Sequence, residues 1–139
     1  LPNHKLSPQA ALIYTMVLAA AVDGDMTDGE LRAIEEMIVF LPAFHGFEIA
    51  SIAGIASDCT DLLGKENGLD IAFRRIKNAL ETSRLHECAY ALACDIVAAD
   101  GKASQDELRF LELLRDELAV DRLTAAAIER AARARFTPI

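Results

Sequence analysis

Residues 10–22 are apolar almost throughout, with no polar face at any helical angle, and this run constrains the fold more than any other feature of the chain. It is too short to cross a bilayer, which takes roughly 20 residues. A helix that is apolar all round has to be enclosed by other helices, so the run predicts a buried central helix in a bundle. Ser7-Pro8 in front of it supplies an N-cap followed by proline at the first helical position. No basic region or cleavage site precedes the run, so a secretory leader is not expected.

The rest of the chain agrees with an all-α fold. Hydrophobic residues make up 53% of the 139 and aromatics only 6%, with no Trp. Much of the apolar fraction is Ala and Leu, which favour helix over strand. No stretch alternates apolar and polar residues as a half-buried strand does. Residues 27–40 place Leu31, Ile34 and Ile38, then Leu41, at alternating spacings of three and four, one core-facing stripe that Pro42 terminates. Ile49, Ile52, Ile55, Cys59 and Leu62 suit a helix within residues 44–64, its start blurred by His45-Gly46. A helix after Gly68 turns Ile71, Ile76 and Leu80 inward and Arg74, Arg75 and Lys77 to solvent. Residues 84–99 form a second nearly all-apolar helix, interrupted by Asp95, for which an internal salt bridge or hydrogen bond is expected, with Arg74 and Arg75 as candidate ion-pair partners. Amphipathic helices over residues 104–118 and 123–135 complete a single domain, residues 1–139, of about seven helices.

Both apolar helices run into the same kind of turn. Asp23-Gly24 with Thr27, Glu30, Leu31 and Arg32 matches Asp100-Gly101 with Ser104, Glu107, Leu108 and Arg109 at a constant offset of 77 residues, the mark of an internal duplication. Ordinary helix punctuation accounts for part of it. Gly24 and Gly101 stand where a helix end favours a left-handed residue. Thr27 with Glu30, and Ser104 with Glu107, are two capping boxes. The aspartates are different, because Asp23 and Asp100 sit at C-terminal helix ends, where the macrodipole disfavours a carboxylate by about 0.3 to 1 kcal/mol. A divalent cation, or a partner's Lys or Arg, would supply the missing positive charge. The spacing from glycine to glutamate imitates the second half of an EF-hand loop, but Ala19, Ala21, Ile96 and Ala98 stand where its first carboxylates belong, so an EF-hand is rejected.

With Ala19-Ala20-Ala21-Val22-Asp23-Gly24 and Glu30 in one copy and Ala98-Ala99-Asp100-Gly101 and Glu107 in the other, the chain resembles the TerB family of tellurite-resistance proteins over about residues 10–119. The resemblance implies a bundle of about seven helices whose acidic residues cluster on one side and hold a metal. It also implies a bacterial protein, cytoplasmic or peripheral to the inner membrane, linked to tellurite resistance and stress, with no catalytic activity. Carried over residue by residue, the metal candidates are Asp23, Glu30, Asp100 and Glu107, with Asp25 as an addition. Lys102 at the place of Asp25 makes the second copy less acidic.

The remaining chemistry is consistent with binding. A net charge of -8 argues against nucleic acid and for cations or a partner with a basic surface. Cys59, Cys88 and Cys94 lack paired spacing, which points to buried reduced thiols and a cytoplasmic setting. His86 and Cys94 lie two helical turns apart, too far to share a zinc ion, and His86 and Cys88 face different sides of their helix, so a surface histidine and a core cysteine are expected. His4 and His45 have no nucleophile nearby in sequence, so no triad is expected. Two readings follow: a non-enzymatic module that binds calcium or magnesium at the two turns, or a metal-independent module whose acidic face docks a basic protein segment.

Overall fold

The computed structural model describes residues 5–22, 24 and 26–139. Among them are seven α-helices and no strand: α1 (Pro8–Ala21), α2 (Asp28–Ile38), α3 (Ile52–Leu63), α4 (Gly68–Ala79), α5 (Ser83–Ala99), α6 (Gln105–Leu118) and α7 (Arg122–Arg135). The all-α expectation holds.

Helix α1 is the axis of the bundle. Every residue from 10 to 19 is buried, and α2, α3, α4, α5 and α6 all pack on it. The Ser7 hydroxyl opens it by accepting from the Ala10 N–H at 3.0 Å. The buried Thr15 hydroxyl donates to the Ala11 carbonyl at 2.9 Å, so burial does not leave it unpaired. Helix α5 is the second axis, clad by α1, α6 and α7.

The amphipathic helices cover these two. On α2 only Ile34 and Ile38 are buried, while Leu31 and Leu41 are half-buried. On α4 the inward residues are Ala72, Phe73, Ile76 and Ala79, with Leu80 buried just beyond; Ile71 is only half-buried.

Three details depart from the sequence pattern. The helix expected within residues 44–64 begins at Ile52, because two 3-10 turns, Pro42–Phe44 and Ile49–Ser51, occupy the approach. Ile49 is consequently 39% exposed instead of facing the core. Arg75, expected in solvent, is half-buried and lies against the Tyr14 hydroxyl, where its charge opposes the upward shift that burial imposes on Tyr14. Asp95 does form an internal salt bridge, but with Arg135 of α7 instead of an α4 arginine. The α4 arginines belong to a helix that packs on α1, α3 and α6, whereas α7 packs on α5.

Candidate functional site

The first acidic turn joins α1 to α2, and the second joins α5 to α6. Both expected capping boxes form. In the first, the Thr27 N–H donates to Glu30 Oε1 at 2.8 Å and the Glu30 N–H donates to Thr27 Oγ1 at 3.1 Å. In the second, the Ser104 N–H donates to Glu107 Oε1 at 2.9 Å and the Glu107 N–H donates to Ser104 Oγ at 3.1 Å. The same four-residue chemistry thus starts the helix after each turn. Asp28 in the first turn of α2 and Asp106 in the first turn of α6 add negative charge where the helix dipole favours it.

The helix ends before the turns are less alike. Asp100 is the C-cap of α5, and Gly101 follows with φ +81°, the left-handed conformation expected there. The C-cap of α1 falls one position earlier in the matched register, at Val22, and Gly24 has φ +146°. Both values suit glycine, but only Gly101 takes the ordinary left-handed helix stop.

Of the five residues singled out as metal ligands, Asp23 and Asp25 lie outside the described residues. Asp100 is exposed and Glu30 half-buried, and no Lys or Arg among the described residues forms an ion pair with either. Glu107 differs: its exposure is 3%, and it is the one charged residue that is buried among those described. All three are carboxylates, the hard donor type that calcium and magnesium take, and Oε1 of Glu30 and of Glu107 already accepts a cap N–H. Among the described residues no group of three or more His, Cys, Asp or Glu is placed to hold a metal ion.

The other reactive groups are subdued. All three cysteines are free; Cys59 and Cys94 are buried and Cys88 is half-buried. Burial pushes the Cys59 and Cys94 thiols up to about 12 and raises Cys88 as well, which leaves no nucleophilic thiolate near neutral pH. His86, expected at the surface, is half-buried with its Nε2 at 2.5 Å from the Leu80 carbonyl oxygen. No helix is long and apolar enough to cross a membrane among the described residues.

One polar feature was not anticipated from the sequence. The buried Tyr90 hydroxyl on α5 donates to Glu129 on α7, and burial together with this bond raises the Tyr90 pKa. Two residues on separate helices, 39 positions apart, carry no shared motif, and only the packing of α7 on α5 brings them together.

Fold and turns define a class: an all-α bundle in which two capped, acidic helix-turn-helix elements flank the core. Residues 9–131 match the family model described as tellurite resistance protein TerB, and the chain belongs to the TerB family. The match extends past α6 into α7. No curated protein and no solved structure matches the chain significantly.

Proposed function

We propose that the protein is a non-enzymatic, cytoplasmic TerB-family module whose Asp-Gly turns take up a hard divalent cation, calcium or magnesium, in the setting of tellurite resistance and related stress. The carrying observation is the burial of Glu107. A carboxylate withdrawn from water favours positive charge brought close to it, which an ion at the turn would supply. The lack of a described Lys or Arg partner for Asp100 and Glu30 points the same way, since an external positive charge has carboxylates to meet. Asp23 and Asp25 would supply the remaining oxygens. Belonging to a family not generally known for enzymes, and having thiols pushed far above neutrality, both fit a binding role.

Thermal melting with and without chelator tests this reading. Ion at a hundredfold excess over its dissociation constant stabilises the native state by about 2.7 kcal/mol, a rise on the order of 10 °C for a domain of this size. Glu107→Gln, which keeps the shape and hydrogen-bonding atoms of the cap but removes the charge, is expected to abolish the ion-dependent part alone. Identical melting curves in millimolar calcium, millimolar magnesium and chelator would contradict the proposal.

A second reading has its own support in the exposed carboxylates of Asp28, Asp100 and Asp106 around the turns. These suit a partner protein with a basic surface, in solution or at the inner face of a membrane. Partner recovery that is indifferent to chelator, yet lost in the double variant Asp23→Ala, Asp100→Ala, would favour it over the cation.

A further inference from the structure

The two apolar axes are not equally covered. Five helices pack on α1, whereas α5 is covered chiefly by α1, α6 and α7. Helices α6 and α7 both rest on α5 but make little contact with each other. The space left between them is a cleft of about 870 Å³, within the range of sites that hold small organic ligands, ~300–1,000 Å³. Cys94 and Val97 of α5 form its floor. Leu108 and Leu111 line the α6 wall, and Phe136 lines the opposite wall at the end of α7. Leu108 is 46% exposed and Phe136 38%, so apolar surface on both walls is left to water.

Charge at the cleft selects among apolar occupants. Its two carboxylates are already engaged: Glu112 pairs with Arg109 at 2.9 Å, and Glu129 accepts the Tyr90 hydroxyl. Its two guanidiniums are not. Arg115 has only Asp116, at 3.8 Å, and Arg133 makes no side-chain hydrogen bond or ion pair among the described residues. In a chain of net charge -8, this apolar trough edged by Arg133 and by Arg115, whose one ion pair is long at 3.8 Å, is complementary to an apolar body with an anionic head.

We infer that the α5–α6–α7 cleft binds a single-chain amphiphilic anion, its alkyl body along Val97 and Leu108 and its anionic oxygens at Arg133 or Arg115. One end of the cleft borders the second turn at Ala99, Gly101 and Ala103, but its apolar walls and arginines include none of the proposed cation ligands.

Calorimetric titration with dodecanoate below its micellar concentration tests the inference, with dodecyltrimethylammonium as the oppositely charged probe. Saturable binding of dodecanoate is expected, with the ammonium probe at least tenfold weaker. Arg133→Glu with Arg115→Glu should weaken dodecanoate about tenfold or more, and Leu108→Glu, at an exposed wall position, should do the same. The melting temperature of each variant, measured alone, reports that it is folded, and Arg74→Glu on the far helix α4 is the control that leaves binding unchanged. Amide shifts in NMR spectra should map to α5, α6 and α7. No saturable heat, equal affinity for both head groups, or shifts that map elsewhere would overturn the assignment. So would binding of an acidic helical peptide in the cleft where dodecanoate fails to bind.

Discussion

At Gly68, the first residue of α4, an added Cβ would stand 2.0 Å from the Leu62 carbonyl oxygen and 3.0 Å from the Leu63 Cα. Both are backbone atoms of α3, so nothing flexible can yield. Gly68→Ala is expected to destabilise the fold by about 3 kcal/mol or more, measured by denaturant unfolding. Ala119 is the opposite case: it closes α6 with φ +54°, a left-handed conformation that glycine adopts freely. Ala119→Gly should stabilise by roughly 0.5 to 1 kcal/mol in the same measurement. Asp121 caps α7, and its hydrogen bonds from the Thr124 hydroxyl and the Thr124 and Leu123 N–H groups lower its pKa below the ordinary 3.8. A depressed folded pKa means the charged cap stabilises above the unfolded pKa, and that contribution is lost as pH falls through the folded value. Asp121→Ala should therefore lower the melting temperature at neutral pH, with the gap to the parent closing below about pH 4. A gap that persisted at acid pH would show that the carboxylate's charge is not what caps the helix. None of these three sites was singled out from the sequence, since Gly68 and Ala119 matter through backbone geometry that composition does not encode.

Elements differ in how firmly they are held. Helix α2 buries only Ile34 and Ile38 and packs chiefly on α1, whereas ten consecutive residues of α1 are buried. Burial of each isoleucine contributes roughly 1.5 to 3 kcal/mol, too little to hold α2 as tightly as the core helices. Hydrogen exchange should show amides of α2 opening well before those of α1 and α5; equal protection would contradict this ranking. The same contrast explains what was legible. The existence and type of all seven helices could be read because each carries an apolar pattern at helical spacing, and both capping boxes were visible as Thr27 with Glu30 and Ser104 with Glu107. The 3-10 turns ahead of α3 were hidden because Ile49 and Ile52 continue a helical spacing that the chain does not follow. The partner of Asp95 was hidden because it lies on α7, 40 positions away. The Asp-Gly repeat named Glu30, Asp100 and Glu107, but it could not tell that Glu107 alone would be buried. That difference is set by packing, not by the motif.

Across the whole molecule, seven helices wrapped around two apolar axes bring the acidic turns to the ends of those axes. Each turn follows directly from a helix that the fold holds rigid, so the positions of Asp100 and Glu107 are set by the core. If the turns take up an ion as proposed, its binding should raise the stability of the entire domain. Calorimetric titration of chelator-stripped protein with calcium, repeated with magnesium, tests this account most directly. It predicts a saturable heat that disappears in Glu107→Gln and in the Asp23→Ala, Asp100→Ala double variant. A flat trace up to millimolar ion, from protein that melts cooperatively, would contradict it.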